Sequence, residues 1–221
     1  MVHAFIVHTM STGICRVLHT SHFGLETMPS DNTEVTQRDP GRATTPSPLQ
    51  NTDASATTTS MSPADPRLLR KEEIALICRQ AQSEYTFRKA VSERPDYPVT
   101  MPGMSIDDMM FGAEIGSFRL ATNDPYQTER IAIWLGIAGT GFTFVCDKHE
   151  NRQQAEAVLK LLARYLQEYT QALTLPENVL LKSDRVATVV HYFLPCGRLL
   201  FMNHTVIKQL EKDMEIQLRA K

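Results

Sequence analysis

RIAIWLGIAGTGFTFVCD, residues 130–147, is the stretch that decides the fold. Ile131, Ile133, Leu135 and Ile137 fall on one side of its first run and Trp134 on the other, which is the two-residue period of a pleated strand. Both sides are apolar or small, so the strand has no wet face and is expected at the centre of a sheet with helices on both faces. The glycines from Gly136 to Gly141 read at first as a phosphate-cradling loop. Such a loop needs a helix N-terminus next, to present its backbone N–H groups, and here Phe142-Thr143-Phe144-Val145 continues as strand. A tight hairpin that uses positive φ is the expectation instead.

Working outward, Ser117 to Thr122 reads as a further strand beside the runs Arg130 to Ala138 and Gly141 to Asp147. At the start of the chain Val2, Ala4 and Ile6 alternate with Phe5 and Val7, and a second apolar run, Ile14 to Leu18, follows a short turn. Residues 26–64 are rich in Ser, Thr and Pro with almost nothing to bury, and such composition does not offset the entropy of ordering. They are expected to form a disordered insertion, open to phosphorylation, within one domain spanning 1–221, because two strands are too few to stand alone.

Helical spacing returns with Ile74, Ile77, Cys78, Ala81 and Tyr85 on one face, after a start signal at Asp65 and Pro66 and before a stop at Arg94-Pro95. Pro95 to Gly116 is expected to be irregular, with Met104, Met109 and Met110 either lying over the core or facing a partner. A helix from about Glu150 to Leu173 carries Ala155, Val158, Leu159, Leu162, Leu166 and Tyr169. A shorter one, capped by Ser183 or Asp184, carries Val186, Val189, Val190, Phe193 and Leu194 and stops at Pro195-Cys196-Gly197. Asn203 caps a last one with Val206, Ile207, Leu210, Met214 and Leu218. The order is β-β-α-β-β-β-α-α-α, an α/β fold.

The chain has 221 residues, 42% of them hydrophobic, enough for one good core. A net charge of −2 gives no basic face for a phosphate backbone, so no nucleic acid is expected as a partner. Cys15, Cys78, Cys146 and Cys196 form no C-x-x-C pair and read as reduced core thiols of a cytosolic protein. Met1 to Val7 lacks the features of a signal peptide, and no stretch approaches the ~18 apolar residues of a membrane span.

Few residues suggest chemistry. Asp147-Lys148-His149-Glu150 brings acid, base and imidazole to a strand-to-helix junction, where capping of the helix is the blander expectation. His19 and His22 have a possible metal spacing but read as exposed residues on a strand end without an acid or Cys partner. No nucleophile elbow or paired-carboxylate motif is present, so no catalytic residue, metal or cofactor is expected.

Several segments are nevertheless specific. Met1-Val2-His3-Ala4-Phe5, Gly13-Ile14-Cys15-Arg16-Val17-Leu18, Asp65-Pro66-Arg67-Leu68-Leu69-Arg70-Lys71-Glu72, Trp134-Leu135-Gly136, His149-Glu150-Asn151 and Phe193-Leu194-Pro195-Cys196-Gly197 resemble, in order, the sigma subunits of the fifth adaptor-protein complex. The resemblance implies a longin-like fold, with a five-stranded antiparallel sheet between helices. It implies a non-enzymatic small subunit of a heterotetrameric vesicle-coat adaptor, held directly by a large zeta chain beside beta and mu chains. Spatacsin and spastizin are then expected associates, and the site of action is the late endosome and lysosome, reached from the cytosol through the complex.

In related sigma chains an arginine on the second strand helps to hold acidic dileucine sorting peptides, and the resemblance puts Arg16 at that place. The alternative for Arg16 is an ion pair with an acid of the large subunit. Compact sigma chains join the hairpin to the first long helix more briefly than the 26–64 spacer does. Two other readings stand beside this one: a free-standing longin-type regulator of a small GTPase or of membrane fusion, and an enzyme built on Asp147 to Glu150.

Overall fold

The computed structural model describes residues 1–11, 13–24, 66–92, 105–121 and 128–219. The strands are β1 (Val2–Thr9), β2 (Val17–His22), β3 (Glu114–Leu120), β4 (Arg130–Ile137) and β5 (Thr140–Asp147). The helices are α1 (Pro66–Val91), α2 (Ile106–Phe111), α3 (Arg152–Thr170), α4 (Asn178–Leu181), α5 (Ser183–Phe193) and α6 (His204–Arg219), with a 3₁₀ turn at Pro195–Gly197 before the last. All five strands pair antiparallel in the order β2-β1-β5-β4-β3. This is the longin-like α/β arrangement expected, lengthened by the short helices α2 and α4. The anticipated 26–64 insertion, the Asp65 cap, the Arg94-Pro95 stop and Met104 lie outside the described residues.

The pleat sorts the side chains between two cores. Phe5, Val7, Ile131, Ile133, Leu135, Phe142 and Phe144 face α3 and α5. Ala4, Ile6, Ala132, Trp134 and Val145 face α1, whose Ile74, Ile77, Cys78, Ala81 and Tyr85 form the buried stripe its periodicity predicts. Trp134 is fully buried and carries the attachment of α1: its Nε1 donates to Glu84 Oε2 at 3.0 Å, Tyr85 meets it edge-on at 6.2 Å, and the Arg88 guanidinium lies 5.1 Å over the ring.

The strand ends differ from the sequence reading. β2 begins at Val17, not at Ile14. Ile14 is 84% exposed. Ladder pairing resumes at His8 opposite Val17 only after a bulge between Val7 and His8. As an outer strand, β2 needs no apolar alternation, so the polar Val17–His22 run serves. β3 begins at Glu114 rather than Ser117, because Gly116 must stand opposite Trp134, where a Cβ would lie 2.4 Å from the indole. Residues just before it, expected to be irregular, form α2, with a capping box between Ser105 and Asp108. Met109 and Met110 of this helix pack on the core.

The β4–β5 hairpin turns as expected, with Ala138 at φ 55° and Gly139 at φ 81°. Only Gly139 answers the need for positive φ. Gly136 and Gly141 instead make room, the first for the Tyr85 ring and the second for His8 and Met10. α3 is capped by Asn151, whose side chain accepts from Gln154 N at 3.2 Å. α5 has no side-chain cap at all, contrary to the expectation for Ser183 or Asp184, because the turn of α4 runs straight into it. Asn203 does cap α6, accepting from Val206 N at 2.8 Å.

Gly116→Ala is expected to lower stability by ~1–3 kcal/mol, the range for overpacking a tight core, because the indole cannot retreat without disturbing α1. Chemical denaturation monitored by the lone tryptophan measures this, and an unchanged midpoint would show that β3 has slack at this point.

Candidate functional site

Asp147 and Glu150 stand where β5 hands over to α3, and the first residue of β1 lies across from them. The Met1 ammonium donates to Asp147 Oδ2 at 3.0 Å and also to Glu150, while His3 Nε2 lies 2.5 Å from Asp147 Oδ1. Asp147 N also donates to Met1 O at 3.0 Å. Burial pushes the Asp147 carboxyl upward, but the hydrogen bonds from His3 and the ammonium outweigh it and hold the group below its usual range. Lys148 turns away to pair with Glu129 at 3.0 Å, and His149 is exposed. The four residues therefore do not converge on one point. Asp147 and Glu150 anchor the start of β1, and the side-chain cap of α3 is Asn151.

Arg16 lies immediately before β2 rather than on it, which corrects the sequence reading. The strand starts one residue later because Arg16 is already used to close the bulged end of the hairpin: Thr9 N donates to Arg16 O at 2.9 Å, and Arg16 N donates to Thr9 Oγ1 at 2.9 Å. The backbone is thus fixed and the side chain is exposed; no carboxylate among the described residues pairs with its guanidinium.

Of the two histidines read as exposed, His22 is so and His19 is not. His19 is half-buried with its ring 6.4 Å from Phe5, and burial lowers its pKa from the usual value. His19 makes a 2.8 Å hydrogen bond to Ser21. Among the described residues no group of three or more His, Cys, Asp or Glu is arranged to hold a metal ion. Sequence reasoning passed over His8, which is fully buried under α1 and hydrogen-bonds Thr143 Oγ1 at 2.9 Å. A polar residue in register with Ala4 and Ile6 was the available signal. The cysteines are only partly core thiols: Cys78 and Cys146 are buried, Cys15 is half-buried and Cys196 is exposed.

The outer surface retains large apolar side chains. On α1 these include Leu76, Phe87 and Val91, and on the opposite side of the sheet Leu180, Leu181, Phe201 and Ile216. Two open grooves border α1, one of about 510 Å³ beside Gly13, Gln82 and Phe87 and one of about 530 Å³ beside Leu76, Arg119 and Leu120. No helix among the described residues is long and apolar enough to cross a membrane.

A family model described as AP-5 complex subunit sigma-1 matches residues 47–215. The chain belongs to the AP-5 complex subunit sigma-1 family. Among its relatives, the AP-5 complex subunit sigma-1 of Homo sapiens is 35% identical over 222 residues, covering 96% of this chain and 96% of the relative. That of Mus musculus is 34% identical over 182 residues, covering 79% of this chain and 91% of the relative. The family model thus takes in α1, the strands β3 to β5 and the helices that follow them, up to the last turn of α6.

Asp147→Asn is expected to cost less than about 1 kcal/mol at neutral pH, since the carboxylate is half-exposed and screened. Because its folded pKa is depressed, its contribution is present above the unfolded value of ~3.9 and fades as the pH falls through the folded value. Melting curves from pH 7 to 3 check this: parent and variant should converge at the acid end, and a constant gap would remove the electrostatic account.

Proposed function

We propose that this chain is the non-catalytic small subunit of a heterotetrameric adaptor-protein complex, working in vesicle-mediated transport at late endosomes and lysosomes. It forms one sigma-type domain over 1–221, with 26–64 as an insertion rather than a divider. It docks directly on a large zeta chain, stabilises the assembly with the beta and mu chains, and reaches membranes only through that assembly, with spatacsin and spastizin as associated proteins. One observation carries the reading: membership of the AP-5 sigma-1 family extends over 96% of the human relative. The apolar side chains left outside both cores agree with it, since a small chain with such a surface gains from an extensive interface.

Arg16 is proposed as a contact for an acidic group, either a carboxylate of the large subunit or an acidic sorting peptide. Its support is an exposed guanidinium on a backbone fixed at both its N–H and its C=O. The fixed backbone places the base of the side chain, and the planar guanidinium suits a carboxylate in a bidentate pair.

Affinity purification of the tagged full chain, with stoichiometry of the bound proteins, tests the assignment. A large helical-repeat chain at equal amount is the expected result; a stable lone chain would overturn it, and capture that depends on GTP would favour the GTPase-regulator reading. Within the same experiment Arg16→Glu is expected to weaken partner or acidic-peptide binding by about tenfold while leaving the melting temperature unchanged. Unaltered binding of both would remove Arg16 from the interface.

A further inference from the structure

We propose that the groove between α1 and β3 binds the phosphate monoester of a phosphorylated lipid headgroup, held between the guanidinium groups of Arg79 and Arg119. Both arginines are exposed, and both line this one space of about 530 Å³ together with Gln80. The lining contains no carboxylate. Two like charges that share a groove without an acid repel each other, and a multiply charged anion between them relieves that repulsion.

The walls of the groove are stiff and its cations are open to a ligand. Ile77 of α1 and Leu120 of β3 close the floor and are themselves buried in the α1-facing core, so the two arginines stand on packed elements rather than on loops. Arg79 donates from Nε to Ala75 O at 3.2 Å, one turn back on its own helix, which steadies the side chain and leaves its terminal nitrogens for another acceptor. Arg119 forms no ion pair with a carboxylate among the described residues. Glu129 feels the Arg119 charge, but that carboxylate pairs with Lys148 at 3.0 Å and lies outside the lining. Glu72 and Glu73 lie nearer the start of α1 and also outside it.

Two arginines suit phosphate better than carboxylate. A carboxylate has two oxygens and is satisfied by a single forked guanidinium. A phosphate monoester has three terminal oxygens and close to two charges at neutral pH, so it accepts two forks at once. The rim favours a lipid carrier over a soluble one: Leu76 is 49% exposed at the edge of the groove, and Leu69, 47% exposed, lies two turns back on the same face of α1. Leucines beside a cationic groove fit the boundary between headgroups and acyl chains. This goes beyond the adaptor role: the assembly brings the chain to a membrane, and the groove then adds a contact with one class of headgroup.

The full chain is mixed with phosphatidylcholine vesicles that carry either phosphatidylinositol phosphate or phosphatidylserine at matched surface charge, and the bound fraction is read by co-sedimentation. Binding to the phosphoinositide vesicles is expected to be about fivefold stronger, and to weaken as salt is raised. Arg79→Ala and Arg119→Ala should each reduce it by about tenfold with the melting temperature unchanged. Arg219→Ala, on α6 across the sheet, should leave it as it was. Arg79→Lys keeps the charge but not the fork, so it should bind both kinds of vesicle alike. Equal binding of the unsubstituted chain to both vesicles, binding to neither, or binding indifferent to the two alanine variants would overturn the proposal. So would equal affinity for inositol phosphate in solution, or a preference for an acidic peptide over the vesicles. Partner capture by the tagged chain is independent of all these results.

Discussion

Everything in the fold hangs on β4 having both faces dry, and on its α1-facing side Trp134 is the decisive contact. An indole buries roughly 150–250 Å², worth about 4–6 kcal/mol at ~25 cal/mol per Å² as an upper estimate, but only if its N–H finds an acceptor. Glu84 supplies that acceptor from α1. The same residue therefore selects which helix covers this face and at what rotation, and Gly116 on β3 is the space it requires. With α1 fixed, Gln82 is carried to the loop before β2, where it donates to the carbonyl oxygens of Ser11 and Gly13.

The opposite face depends on the first strand. β1 lies between β2 and β5, so the beginning of the chain is inserted beside a strand more than half the sequence away. Such a pairing carries a closure entropy that grows only slowly with loop length, and it gains a modest fastening at the start of the strand. Asp147 and Glu150, together with His3, provide it through the Met1 ammonium. Two acids of a cluster that reads as potential acid-base chemistry thus serve as a structural clasp.

Much of this was legible beforehand, for identifiable reasons. Ile131, Ile133, Leu135 and Ile137 alternate because a strand's side chains alternate, and Ile74, Ile77, Cys78, Ala81 and Tyr85 repeat because a helix places them on one stripe; neither depends on the rest of the chain. The ends of β2 and β3 were misread where pairing overrides pattern. Ile14 is apolar yet exposed, and His19 is polar yet half-buried against Phe5, since an outer strand's burial is set by its neighbour. α2 and α4 were missed because one or two turns of helix have too few residues to display a period.

The amino-acid order by itself determined the two periodicities, the two-sided dryness of β4, the β4–β5 hairpin and the Asn203 cap, all of which arise between residues close along the chain. Tertiary structure alone decided that Arg16 closes a bulge instead of entering a strand, that Asp147 answers the Met1 ammonium instead of capping α3, and that Gln82 of α1 reaches the loop before β2. The last two rest on contacts between segments remote in sequence and the first on the register of β1 against β2, so geometry set by the whole sheet chooses among partners that local chemistry would accept equally well.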